Sequence, residues 1–153
     1  MEPQGQPLAE PKDKRILIVD DDETIRGLLE LGAQQEGFVV ATAVDGMQAA
    51  EMIPQFRPDL IVSDLMMPGQ GGYELIRNLQ GTEQGAVPVI VITARKLDES
   101  TKELFRREGN VLQVLSKPIS LNAFALALHQ ILRTQPPQGA RSRGLNDRRP
   151  GTR

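Results

Sequence analysis

The stretch RILIVDDDETIR, residues 15–26, runs four consecutive apolar side chains directly into four carboxylates. The apolar residues 16–19 are typical of a buried strand, and the acidic residues 20–23 follow at its end. Two carboxylates about 4 Å apart repel each other by about 4 kcal/mol at an effective dielectric constant of about 20. A run of this kind beside a core therefore predicts that something positive lies among its side chains.

Four further short apolar runs follow along the chain, and each of the five is followed by a helical stretch. The five runs are ILIV (16–19), FVVATA (38–43), DLIVS (59–63), VPVIVIT (87–93) and VLQVL (111–115). Their β-branched residues favour buried parallel strands, and right-handed crossovers then put helices on both faces of the sheet. The sequence predicts an α/β fold, a doubly wound five-stranded parallel sheet built from five βα units.

Reactive side chains stand where these strands end, which is the functional edge of such a sheet. They are Asp20, Asp21 and Asp22 after the first strand, Asp64 after the third, Thr93 after the fourth and Lys117 after the fifth. Carboxylates, a hydroxyl and an ammonium at one edge suit an oxygen-ligated divalent cation and a phosphoryl group. The chain has no cysteine and one histidine, which excludes thiolate and histidine-cluster metal sites. Magnesium is the expected cofactor.

Composition and charge divide the 153 residues into three parts. Residues 14–133 form the predicted domain, with 12 Lys and Arg against 16 Asp and Glu. Residues 1–13, with three prolines, are predicted to be a flexible leader. Residues 134–153 carry five arginines against one aspartate and few apolar side chains, so we expect a disordered basic tail.

The sequence contains no apolar run of the roughly 18 residues that a membrane span needs. Its first residues also lack the apolar segment of a signal peptide, so we expect a cytoplasmic protein without membrane contact. Charge runs such as the basic tail are usually solvated, and we do not expect nucleic acid as a partner.

Four motifs in register resemble the receiver domain of bacterial two-component response regulators over about residues 14–133. They are ILIVDDDETIRGLL (16–29), PDLIVSDLMMPGQGGYELI (58–76), PVIVITA (88–94) and LSKPI (115–119). The resemblance implies a flavodoxin-like sheet with strand order 2-1-3-4-5, for which a member of this family is a standard example. It also implies a stand-alone phosphoacceptor whose phosphorylation alters protein binding, with no enzymatic role beyond self-phosphorylation and slow autodephosphorylation.

The resemblance assigns roles position by position. Asp64 is the implied acceptor of a phosphoryl group from a partner histidine kinase or phosphotransfer protein, with Thr93 and Lys117 contacting the phosphoryl oxygens. The implied magnesium ligands are Asp20, mainly through water, Asp21, Asp64 and the backbone carbonyl of Met66. The resemblance also implies a cis peptide bond between Lys117 and Pro118.

Two other functions remain open at this point. A pseudo-receiver would keep the fold as a protein-binding module without phosphorylation. The letters DDDET also match the Asp-x-Asp-x-Thr signature of haloacid dehalogenase-like phosphatases, with Asp20 as nucleophile, but that match leaves Asp64 unexplained.

Several positions carry narrower expectations. Asp22 and Glu23 are expected to cap the first helix, and His129 to lie on a helix surface. Val114 stands where receivers commonly carry an aromatic residue, and the segment from Gly109 to Lys117 is one residue longer than usual. Leu126 should project from the last helix, and a weak dimer through the fourth helix, the fifth strand and the last helix is one option.

Overall fold

The computed structural model describes residues 7–65, 75, 77, 87–94, 99–107 and 110–137 of the chain. Five strands are β1 (Arg15–Val19), β2 (Val39–Ala43), β3 (Leu60–Asp64), β4 (Val89–Thr93) and β5 (Val111–Ser116). All pair in parallel in the order β2-β1-β3-β4-β5. This confirms the predicted flavodoxin-like sheet.

Helices cover both faces of the sheet. A short 3₁₀ turn at Pro11–Asp13 precedes α1 (Glu23–Gln35), α2 (Gly46–Phe56), α3 (Glu99–Arg106) and α4 (Leu121–Leu132). The helix expected between β3 and β4 lies largely outside the described residues, although Leu75 and Arg77 are helical. None of the described helices is long and apolar enough to cross a membrane.

The three central strands, β1, β3 and β4, bury side chains on both faces, as their apolar runs require. In β1, Leu17 and Val19 face α2 and join one core cluster with Ala49 and Ile53. The alternate residues Ile16 and Ile18 join the opposite cluster, which α1 and α4 complete with Leu29, Ala33, Phe124 and Leu128. The sheet is therefore held rigidly from both sides, which fixes its carboxyl edge.

Side-chain caps begin the helices that follow β1, β2 and β5. The carboxylate of Asp22 accepts hydrogen bonds from the backbone N–H groups of Thr24 and Ile25, which confirms the predicted cap. Asp45 and Ser120 cap α2 and α4 in the same way. After α1 the chain turns at Gly37, whose φ of 101° a residue with a side chain would not readily adopt.

Strand β5 contains one extra residue relative to β4. Val89 pairs with Val111, but Ile90 pairs with Gln113, so Leu112 lies between two regular pairs. This β-bulge accommodates the additional residue expected between Gly109 and Lys117. Leu112 is 55% exposed, and regular pairing resumes as far as Thr93 opposite Ser116.

His129 is buried, so the expectation of a helix-surface residue is wrong. Its Nε2 lies 2.8 Å from Oε1 of Glu36 and its Nδ1 lies 2.7 Å from Oγ1 of Thr134. The ring of Phe38 lies 5.1 Å from the imidazole, centroid to centroid. The period of α4 turns His129 toward the end of α1, and its partner Glu36 is too distant in sequence for any local pattern to reveal.

Both segments flanking residues 14–133 contact each other where the structure describes them. Ala9 and Thr134 form a parallel bridge, with Ala9 N–H donating to Arg133 and Gln135 N–H donating to Ala9. We call this pairing the terminal clasp. The described parts of the two segments, residues 7–13 and 134–137, thus include paired backbone. The remainder of both segments lies outside the described residues, and the flexible leader and the disordered tail stay predictions.

Candidate functional site

The predicted site residues meet at the carboxyl edge of the sheet. Asp20 follows β1, Asp64 ends β3, Thr93 ends β4 and Lys117 follows β5. The backbone N–H of Lys117 donates to the carbonyl of Thr93 at 2.8 Å, which extends the pairing of β4 and β5 to the site. The peptide bond between Lys117 and Pro118 is cis, as the resemblance implies.

Among the residues that the structure describes, Lys117 places its ammonium beside two of the carboxylates. Its Nζ lies 3.4 Å from Oδ2 of Asp20 and 3.4 Å from Oδ2 of Asp64. Burial alone would lower the pKa of Lys117, but the two carboxylates more than offset that effect and raise it above its ordinary value. Lys117 therefore stays charged at neutral pH and bridges the ends of β1 and β3.

Asp20 lies in a costly position for a carboxylate. It is 1% exposed; its Oδ1 accepts from the N–H of Asp22 at 2.9 Å, but its buried Oδ2 accepts no hydrogen bond from the residues that the structure describes. The ammonium of Lys117 is near enough for an ion pair but lacks hydrogen-bond geometry. Burial, and then the charge of Asp64, raise the pKa of Asp20 above its ordinary value despite the N–H of Asp22.

Three carboxylates can converge on one cation. One oxygen each from Asp20, Asp21 and Asp64 lies within 4.8 Å of the others, with Asp21 exposed and the other two buried. The buried Oδ2 of Asp20, which has no hydrogen-bond donor, would gain a partner in a bound cation. These hard oxygen ligands fit Mg²⁺ and leave one side open to solvent. Met66, the fourth expected ligand, lies outside the described residues.

Two further residues contact the site backbone, and the sequence analysis did not identify either. Nη1 of Arg26 donates to the carbonyl of Asp20 at 2.8 Å. The hydroxyl of Ser63, fully buried, donates to the carbonyl of Asp64 at 3.1 Å. The signal available for Arg26 was a basic residue one turn into the helix that follows the acidic run.

Comparison with known proteins agrees with this fold. Residues 16–129 match the family model described as the response regulator receiver domain. The response regulator MprA of Mycobacterium tuberculosis (strain ATCC 25618 / H37Rv) is 36% identical over 126 residues, which cover 82% of this chain and 54% of MprA.

Solved structures give the same result. The chemotaxis protein CheY4 of Vibrio cholerae aligns with a TM-score of 0.72 at 28% identity, covering 78% of this chain and 98% of CheY4. The receiver domain of the Francisella response regulator 1452 aligns with a TM-score of 0.69 at 26% identity, covering 78% of this chain and 97% of that one.

The chain spans about half the length of the curated relatives it matches. The matched residues nevertheless include β1 from Ile16 onward, the other four strands and most of α4, and they span the positions of the carboxylates and Lys117. This chain therefore belongs to the response regulator receiver domain family.

Proposed function

We propose that this chain is a phosphoacceptor of a two-component pathway and that Asp64 takes the phosphoryl group. The observation that carries the proposal is the position of Lys117, whose Nζ lies 3.4 Å from both Asp20 and Asp64. The donor we infer is a phosphohistidine on a sensor histidine kinase or a phosphotransfer protein. A cytoplasmic location goes with such a donor.

In the proposed transfer, a carboxylate oxygen of Asp64 bonds to phosphorus while the bond from phosphorus to the donor nitrogen breaks. The products are an acyl phosphate on Asp64 and a free imidazole on the donor. Lys117 pairs with a phosphoryl oxygen, and the hydroxyl of Thr93 hydrogen-bonds another. Transfer to a carboxylate needs mainly positioning and neutralisation of charge, which fixed side chains on a rigid sheet edge supply.

Mg²⁺ is the cofactor we propose, held by Asp20, Asp21 and Asp64 together with the carbonyl of Met66. When bound, it would neutralise negative charge on the carboxylates and on the phosphoryl group. Without it, Asp20 keeps a buried oxygen with no hydrogen-bond donor. Self-phosphorylation and slow autodephosphorylation are the only chemical steps that we assign to the chain.

Phosphotransfer can be tested with acetyl phosphate and Mg²⁺. We expect the mass of one added phosphoryl group, mapped to Asp64 by peptide analysis, and loss of labelling when Mg²⁺ is chelated. The control is Asp64→Asn. Labelling that persists in this variant or moves to Asp20 would overturn the assignment and favour the phosphatase alternative; a wild type that is never labelled would favour the pseudo-receiver alternative.

Phosphorylation should alter the binding of a downstream protein. In the receivers that this chain resembles, the threonine at the position of Thr93 moves toward the phosphoryl group and an aromatic ring of the fifth strand fills the space it leaves, but this chain has Val114 in place of that ring. Val114 is partly buried against the core and has no ring that could rotate. Because it is β-branched, its side chain is also stiff about the first torsion angle. We propose that output uses backbone shifts after Thr93 and in α3. A weak dimer through α3, β5 and α4 would use the exposed side chains of Leu112 and Leu126.

The role of Val114 can be tested by comparing amide chemical shifts with and without beryllofluoride. In the wild type we expect small chemical-shift changes across β5 and α4. In Val114→Tyr we expect larger changes, because the new ring can fill the space that Thr93 leaves when it moves toward the phosphoryl mimic. Equally large changes in both proteins would show that the missing aromatic has no effect on output.

A further inference from the structure

Arg26 reaches from the first turn of α1 back to the end of β1. Its backbone N–H donates to the carbonyl of Asp22 at 2.8 Å, as helix geometry requires. Its half-buried side chain instead turns toward β1, where Nη1 donates to the carbonyl of Asp20 at 2.8 Å. Arg26 thus connects α1 to the peptide group between Asp20 and Asp21, directly after β1.

The hydrogen bond from Arg26 is one of three described hydrogen bonds that hold Asp20 in place. The N–H of Asp20 donates to the carbonyl of Ala43 at 3.1 Å, and its Oδ1 accepts from the N–H of Asp22. The carbonyl of Asp20 lies beyond the regular pairs of β1, where Arg26 supplies its hydrogen bond. Strand β2, helix α1 and the arginine side chain together fix the residue on three sides.

The carbonyl of Asp20 and the N–H of Asp21 belong to one planar peptide unit. Fixing that carbonyl therefore sets the direction in which Asp21 leaves the strand. Asp21 is exposed, and Asp20 and Asp64, the carboxylates beside it, are buried. Since Asp21 is the least enclosed of the three, its orientation depends most on the backbone that carries it.

We propose that Arg26 is a positioning residue for the cation site, acting on Asp21 through the peptide that follows Asp20. This inference rests on the proposed function, in which Asp20, Asp21 and Asp64 hold Mg²⁺. Arg26 donates to a backbone carbonyl and acts by geometry. Its positive charge alone would oppose a cation, so removing it would strengthen Mg²⁺ binding if charge were the main effect.

The test is the Mg²⁺ dissociation constant, measured without any phosphodonor by titration calorimetry and by the amide chemical shift of Asp21. Arg26→Ala should weaken binding about tenfold, in the range found when a partner of a metal ligand is removed. The amide of Asp21 should also shift in the metal-free protein. Arg26→Lys keeps the charge but lacks the planar, longer donor group, so it should remain impaired.

The matched control is Arg107→Ala, because Arg107 is an exposed arginine beyond α3, before β5 begins, and should leave Mg²⁺ binding unchanged. Thermal unfolding without Mg²⁺ distinguishes a role in stability alone from a positioning role. A variant that unfolds at a lower temperature but binds Mg²⁺ like the wild type would overturn the proposal. Tighter binding in Arg26→Ala would also overturn it by showing that charge dominates, and full recovery in Arg26→Lys would overturn it by showing that the planar, longer donor group is not required.

Labelling of the wild type with acetyl phosphate, run in parallel, separates the two claims. A wild type that binds Mg²⁺ but is not labelled contradicts the proposed function and leaves the effect of Arg26 on binding intact. A wild type that is labelled, together with unchanged Mg²⁺ binding in Arg26→Ala, contradicts only the inference about Arg26.

Discussion

Asp20 lowers the stability of the metal-free protein, but it also supplies a buried carboxylate to the candidate cation site. Its carboxylate is buried, and one of its oxygens lacks a hydrogen-bond donor. Because its pKa is raised on folding, the folded chain binds a proton at Asp20 more tightly than the unfolded chain. Ionised Asp20 therefore lowers the free energy of unfolding at neutral pH, and this loss is relieved as the pH falls through the raised pKa.

We expect Asp20→Asn to raise the free energy of unfolding of the metal-free protein by roughly 1 kcal/mol at neutral pH, the scale of one unsatisfied buried polar group. The gain should shrink at lower pH, where Asp20 of the wild type becomes protonated. Thermal unfolding across a pH series measures both effects. A variant less stable than the wild type at neutral pH would contradict this account of Asp20.

Asp21 and Asp22 are adjacent carboxylates with different contacts. Asp21 belongs to the carboxylate group at the sheet edge, whereas Asp22 caps α1 through its side chain. Asp21→Asn should weaken Mg²⁺ binding, because it removes a charged hard ligand, and should change stability little, since the residue is exposed.

Asp22→Asn is the matched control for Asp21→Asn, because asparagine caps helices about as well as aspartate. It should leave both the Mg²⁺ dissociation constant and the unfolding midpoint near those of the wild type. Titration calorimetry of the two variants decides the matter: equal weakening in both would mean that the general negative charge of the run, and not Asp21 itself, governs binding.

At the scale of elements, the bulge in β5 leaves the extra residue, Leu112, outside the regular pairing of β4 and β5 that leads to Lys117. Val111 and Val114 face one core cluster, and Leu115 faces the other. Removing Leu112 would leave this alternation intact, because its neighbours Val111 and Gln113 already pair with consecutive residues of β4. The bulge can therefore be deleted without moving apolar side chains to the wrong face.

We expect the deletion of Leu112 to give a folded protein whose unfolding midpoint lies within a few degrees of the wild type. Deleting Val114 instead should destabilise the fold strongly, since it removes a side chain that packs against the core and, when the bulge straightens, puts the polar Gln113 in its place. Circular dichroism melting curves test both variants. If the two deletions were equally harmful, the bulge would be a required part of β5.

The elements that the sequence predicted well are those set by local chemistry. Uninterrupted β-branched runs predicted the five strands to within about two residues, and the cap at Asp22 follows from its place before α1. The carboxylates and Lys117 were predictable because parallel strands present their carboxyl ends together. The contacts of Arg26 and the burial of His129 were not, because each depends on how a side chain turns after the helices have packed.

At the scale of the whole molecule, α1, α4 and both flanking segments meet at the end opposite the carboxylate and lysine site. Nε2 of His129 lies 2.8 Å from a carboxylate oxygen of Glu36, and Nδ1 lies 2.7 Å from the hydroxyl of Thr134, so both ring nitrogens have a hydrogen-bond partner. Thr134 is 2% exposed, and its N–H donates to the carbonyl of His129. Residues beyond the predicted boundary at 133 therefore complete the hydrogen bonding of a buried side chain.

Two truncations separate the terminal clasp from the basic segment that follows it. A chain that ends at Pro137 should unfold like the full chain, because every described contact of the clasp is retained. A chain that ends at Arg133 loses Thr134 and Gln135, which leaves Nδ1 of His129 and the carbonyl of Ala9 without their partners. Its free energy of unfolding should fall by about 1–3 kcal/mol, the usual cost of unsatisfied buried groups, as measured by urea denaturation. Equal stability of the two shortened chains would show that the clasp contributes nothing and that the stable domain ends at residue 133.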